Sequence, residues 1–248
     1  GIARSGLKQY REALASLTSA ELLAKTSDPG RLNHLFYAQV ASVHAGLAEA
    51  ALRNNDRAEA ERHFNEAQSL IAKSMEIAPA NANLYLQAGS ICERVARQAS
   101  ATKNSELATK LYAEAERYLR RCIELEPENA EALNYLGYMW AELGVNLKEA
   151  KGLIERALKI EPDNAAFLDS LAWVLFKLGQ PEAALKPMLE AIAKSEKPDA
   201  TLLDHLGDIY AALKRYAEAR TAWTQSLQVE DNPEVRRKLE SSPNQSEP

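Results

Sequence analysis

The stretch Leu133-Asn134-Tyr135-Leu136-Gly137-Tyr138 decides how this chain is read, because it returns twice: as Leu168-Asp169-Ser170-Leu171-Ala172-Trp173, and as Asp204-His205-Leu206-Gly207-Asp208. The shared Leu stands at 136, 171 and 206, two successive steps of 35 residues. Self-similarity at that period marks an array in which each unit is one supersecondary element that buries its apolar face only against its neighbours.

The events after each Leu follow one order. The first unit continues through Trp140, Gly144, Ala150, Ile154, Ala157 and Pro162, and the second through Leu175, Gly179, Ala184, Met188, Ala191 and a late Pro198. The third runs Tyr210, Lys214, Ala219, Trp223, Ser226 and Pro233. Small residues at Gly137, Ala172 and Gly207, faced by Ala157 and Ala191, let two helices approach closely, while the bulky side chains between them fill the gaps. Pro162 ends a helix, since Pro disfavours helical geometry in its predecessor. Thirteen residues separate Gly137 from Ala150, against twelve in the other two units, so the first turn carries one extra residue.

These residues resemble the tetratricopeptide repeat, whose period is about 34 residues. The resemblance covers about residues 36–232 and is strongest from 127 to 226. It implies an all-α solenoid of antiparallel helix pairs wound as a right-handed superhelix, and composition agrees: Ala, Leu and Glu are in large excess over ten Gly and ten Pro. The regular repeats are expected at 128–162, 163–198 and 199–232. Two lengthened repeats precede them at 31–79 and 80–127. In the second of these, Gly89 and Ala115 lie 26 residues apart, fourteen more than twelve. Two added heptads, one per helix, preserve the packing face and place the turn near residues 100–105. Residues 1–30, with Tyr10, Ala13, Leu14 and Leu17, read as the second helix of a truncated repeat. Residues 233–240 read as a capping helix and 241–248 as a disordered tail. The chain starts at Gly1 without Met, which reads as a mature or excised piece.

Function is narrowed by elimination and by the resemblance. The formal net charge is -5, with 30 basic and 35 acidic residues intermixed, so nucleic acid is not expected as a partner. No apolar run reaches the roughly 18 residues of a membrane span. His34, His44, His63 and His205 lack metal-ligand spacing, and no nucleophile-elbow or phosphate-loop context is present; no enzyme activity, cofactor or metal is expected. Cys92 and Cys122 fall at core positions of one hairpin, as two reduced thiols or as a bond across it.

The resemblance implies that the inner surface is lined by the positions two before, one before and two after the repeat Leu: Asn134, Tyr135, Tyr138, Asp169, Ser170, Trp173, Asp204, His205 and Asp208. Family members that clamp a carboxy-terminal carboxylate place bases on this surface; here Asp169, Asp204 and Asp208 give an acidic wall with aromatic Tyr135, Tyr138 and Trp173. The expected partner is therefore a protein or peptide segment carrying basic beside apolar residues, bound by a scaffold or adaptor, with Trp173 offering its face to a cation. The repeat segments also look like those of bacterial envelope tetratricopeptide proteins, some of them lipoproteins that recruit other envelope proteins. A helper domain of a larger enzyme or assembly machine is the alternative.

Overall fold

The computed structural model describes the backbone of residues 2–243 and the side chains of residues 8–243. Among the described residues it contains twelve α-helices, a short 3-10 turn and no strand. Residues 1–127 and 128–248 form two compact units. The first holds α1 (Ile2–Ser27), α2 (His34–Arg53), α3 (Arg57–Ile77), α4 (Ala82–Ala101) and α5 (Ser105–Leu125). The second holds α6 (Ala130–Leu143), α7 (Leu147–Ile160), α8 (Ala165–Lys177), α9 (Pro181–Lys194), α10 (Ala200–Ala212), α11 (Tyr216–Val229) and α12 (Pro233–Ser241). Helices α2/α3, α4/α5, α6/α7, α8/α9 and α10/α11 pack as pairs. No helix is long and apolar enough to cross a membrane among the described residues.

Capping residues mark the period. The first helix of each pair starts on an Asn or Asp whose side chain accepts from backbone N–H groups of the opening turn: Asn33, Asn81, Asn129, Asn164 and Asp199. They are spaced by 48, 48, 35 and 35 residues, so the lengthening of the amino-terminal repeats is visible in the caps alone. Asn232 caps α12 in the same way, 33 residues after Asp199. Thus α12 begins as the first helix of a repeat begins. The fourteen extra residues before Ala115 are helical: α4 and α5 have 20 and 21 residues, against 13 and 14 in α8 and α9.

Between paired helices the chain turns through left-handed backbone. Asn55, Lys103, Gly179 and Lys214 each take a positive φ there, and the α6–α7 turn uses two such residues, Gly144 (φ 69°) and Asn146 (φ 49°), to accommodate its extra residue. Of the segment 241–248, Ser241 closes α12, and residues 244–248 lie outside the described residues.

Close approach within each pair is enforced where Gly was expected to permit it. A Cβ on Gly137 would meet Ile154 at 2.7 Å and the backbone oxygen of Ala150 at 2.8 Å; one on Gly89 would meet Leu119 at 2.7 Å. At Gly207 the Trp223 indole fills the space, and at Gly46 the Tyr10 ring of α1 does. Ala150, Ala157, Ala184, Ala191 and Ala219 are wholly buried. Ser226 and Ser74 stand in the last turns of α11 and α3 and donate to the first-turn carbonyls of Ala200 (2.7 Å) and His34 (2.6 Å), tying second helices to first. Cys92 and Cys122 are both buried, with no disulfide between them. Burial, with Glu114 adding to it, pushes the Cys92 thiol up to about 12, so it is a packing residue and not a reactive one.

Candidate functional site

The candidate residues lie on α6, α8 and α10, the first helices of the second unit, and the structure divides them into two groups. Asp169, Ser170, Trp173 and His205 are buried, at 7%, 3%, 7% and 5% exposure. Asn134, Tyr135, Tyr138, Asp204 and Asp208 keep part of their surface in solvent.

The buried group ties neighbouring repeats together. His205 Nδ1 lies 2.8 Å from Asp169 Oδ1, joining α10 to α8. The imidazole also lies flat on the Trp173 indole, with ring centroids 3.9 Å apart and an interplanar angle of 13°. Trp173 Nε1 donates to Glu142 at the end of α6, joining α8 to α6. Phe176 stacks on Trp173 at 5.1 Å, and Lys177 Nζ sits 4.8 Å from the indole centroid. Ser170 donates back to the Ala166 carbonyl in its own helix. Burial pushes the His205 pKa down, but the hydrogen bond and charge of Asp169, with Glu142 and Asp204 behind it, outweigh that and hold it above the ordinary value.

Two sequence-based expectations are corrected by this geometry. The acidic wall is not a row of free carboxylates: Asp169 is buried against His205, and Asp204 and Asp208 are both bonded to Lys238. Nor does Trp173 offer its face to an incoming cation, because His205, Phe176 and Lys177 already lie against the ring. Arg220 of α11 donates to the carbonyls of Leu239 (2.7 Å) and Ser242 (3.3 Å) and so holds the end of α12.

In the accessible group, Asp204 and Asp208 are capped by α12. Lys238 Nζ lies 2.9 and 3.0 Å from the two Asp204 oxygens and 2.8 Å from Asp208 Oδ2. Asp208 also accepts from Trp223 Nε1 at 3.2 Å. Burial raises the Asp208 pKa more than Lys238 lowers it; on Lys238 the two carboxylates outweigh burial, so the ammonium stays charged. Beside this pair, Val235 packs into a cluster with Ala219 and Trp223. On α6, the solvent-shielded Oδ1 of Asn134 finds no donor.

Glu142, Lys238 and Arg220 escaped the sequence reading. Lys238 had a signal, since it stands 34 residues after Asp204, one repeat length on. Glu142 had none, lying outside the positions that the repeat pattern marks. Among the described residues no cluster of three or more His, Cys, Asp or Glu is arranged to hold a metal ion.

Paired helices whose first members are bonded side by side define the class of helical-repeat interaction scaffolds. The tetratricopeptide-repeat profile matches residues 104–165 and 170–234, just over half of the chain, and a second profile of the same description matches 153–186; the chain belongs to the tetratricopeptide-repeat family. No curated protein matches it in sequence. Among solved structures it is similar to BtubC from P. vanneervenii (TM-score 0.57, 14% identity, covering 100% of this chain and 96% of the other). It is also similar to TTC0263, a thermophilic tetratricopeptide-repeat protein of Thermus thermophilus (0.54, 16%, 78% and 97%). A third is YrrB, described as having an unusual peptide-binding site (0.53, 16%, 89% and 98%). At these identities the likeness is one of fold.

Proposed function

We propose that the second unit is a scaffold that holds a polypeptide segment against the first-helix face of α6, α8 and α10, through the accessible residues Asn134, Tyr135, Tyr138, Asp204 and Asp208. Asp169, Ser170, Trp173 and His205 act beneath them, fixing the spacing of the repeats. The observation that carries this reading is Lys238 of α12, a basic side chain from another helix seated on Asp204 and Asp208 of this face, while apolar Val235 beside it packs on Trp223 and Ala219 of α11. Its chemistry is that of the partner we assign, a segment with Lys or Arg beside apolar residues. Tyr135 and Tyr138 supply rigid amphipathic surface of the kind that anchors such segments. The peptide-binding site ascribed to YrrB is in keeping with this use of the fold.

Photo-cross-linking tests it. A benzophenone amino acid at position 135 or 138 should yield discrete adducts with polypeptides of the source cell, whereas the same group at exposed Lys159 on α7 or Lys186 on α9 should not. Adducts formed from α7 and α9 alone would overturn the assignment.

A further inference from the structure

Helix α12 differs from the other first helices in what holds it. It is nine residues long and buries one apolar side chain, Val235, with Leu239 partly covered beside it. By contrast α8 buries Phe167, Leu168, Trp173, Val174 and Leu175. A nine-residue helix does not persist in water by itself, so α12 is helical because of its contacts. Beside the apolar packing of Val235, its contacts are polar: Lys238 on α10, and Arg220 of α11 on the carbonyls of Leu239 and Ser242.

The Lys238 seat is built for an ammonium. Asp204 and Asp208 lie one helical turn apart on α10, and their side chains are only 19% and 15% exposed. Two carboxylates so placed repel each other unless a cation lies between them. Three oxygens meet the three N–H donors of Lys238, at 2.8, 2.9 and 3.0 Å. Nothing in that seat is particular to α12. A lysine on any helix with an apolar residue three before it and another one after it, as Val235 and Leu239 flank Lys238, presents the same shape and charge.

We infer that α12 is an autoinhibitory strap: Lys238 fills the lysine seat formed by Asp204 and Asp208, and a partner helix bearing a lysine between apolar residues gains that seat only by displacing α12. The inference rests on the reading of this face as a partner surface and adds what guards one end of it. Exchanging one ammonium for another leaves the electrostatic energy of the seat nearly unchanged. Competition is therefore decided by apolar area, of which α12 offers little. A partner with a longer apolar stripe wins, and one with lysine alone does not.

Two measurements on the full chain test the strap. In native-state hydrogen–deuterium exchange, α12 amides should exchange about 100-fold faster than those of α10 and α11, because α12 opens without the rest of the unit. Equal protection of the three helices would make α12 part of the cooperative fold and overturn the inference. The second uses a fluorescein-labelled peptide with the sequence of residues 231–243. It should bind the Lys238→Met chain about tenfold or more tightly than the unsubstituted chain. Adding Asp204→Asn to that variant should remove the gain. Equal binding by the two chains, with exchange showing α12 open and α10 and α11 folded in the variant, would show that the seat does not take a lysine helix. Failure of the broader reading registers separately, as loss of adducts from positions 135 and 138.

Discussion

The His205 imidazole lies flat on the Trp173 indole at 3.9 Å while its Nδ1 reaches Asp169 at 2.8 Å, so one buried histidine joins two repeats by a stack and by a hydrogen bond. A protonated ring serves both contacts better than a neutral one, because it is attracted to the carboxylate and to the indole face alike. The His205 pKa is raised in the folded chain. The stability gained through it is therefore complete below the unfolded value of about 6.5 and fades as pH rises through the folded value. NMR titration of His205 should give a midpoint above 6.5. In Asp169→Asn, where burial is left without its main opposing charge, the midpoint should fall below 6.5; an unchanged midpoint would contradict the account.

The first unit carries a histidine pair of opposite sign. His44 and His63 face each other across α2 and α3 with Nδ1 atoms 3.0 Å apart. Arg62, which can only donate, lies 3.3 Å from His63 Nε2, and Glu59 Oε1 lies 3.7 Å from the same nitrogen. Burial lowers both pKa values first; each imidazole also feels Arg62, His44 feels His63, and His63 feels Arg11 of α1, against the opposing pull of Glu66 on His44 and Glu59 on His63. The unfolded chain thus binds protons that the folded chain resists, and stability falls as pH drops through about 6.5. Exchange protection of α2 and α3, corrected for intrinsic rates, should weaken between pH 7.5 and 5.5, and His44→Gln should lessen that weakening. An equal loss in the variant would rule the pair out as its source.

Two glycines should respond to the same substitution with opposite signs. Gly152, inside α7, has open space where a Cβ would go, so Gly152→Ala should stabilise by about 1 kcal/mol through helix propensity. At Gly137 the Cβ would meet Ile154 and the Ala150 backbone, and Gly137→Ala should cost about 1 to 3 kcal/mol despite the same propensity gain. Denaturant midpoints decide it, and a shift of the same sign in both would mean that α6 and α7 are not in contact as described.

Left-handed turns at lysine offer another check. Lys214 is exposed at φ 60°, a conformation that costs roughly 1 kcal/mol with a Cβ. Lys214→Gly should recover about that amount in chemical unfolding, and destabilisation would contradict the turn geometry.

The fold was legible because its determinants are local and periodic. The repeat Leu at 136, 171 and 206 and the small Gly137, Ala172 and Gly207 recur at one spacing, and the fourteen-residue excess before Ala115 announced long helices through its heptad arithmetic. That the candidate residues stand on first helices was also legible. What their side chains do was not, because it is decided by partners about one repeat away. Asp169 reads as a free acid until His205 is brought 2.8 Å from it, and Asp204 reads so until Lys238 lies against it. An offset of 36 or 34 residues between such partners carries no signature in a pattern read one unit at a time. Trp173 likewise reads as a binding surface until three neighbours cover it.

The central claim is that partners lie on the first helices of the second unit. Its most direct test is hydrogen–deuterium exchange of the full chain, alone and saturated with the polypeptide that cross-linking at position 138 recovers. The account predicts slowed exchange in α6, α8 and α10, with α7 and α9 unchanged. Slowing confined to α7, α9 and α11 would place the partner on the opposite face and contradict it.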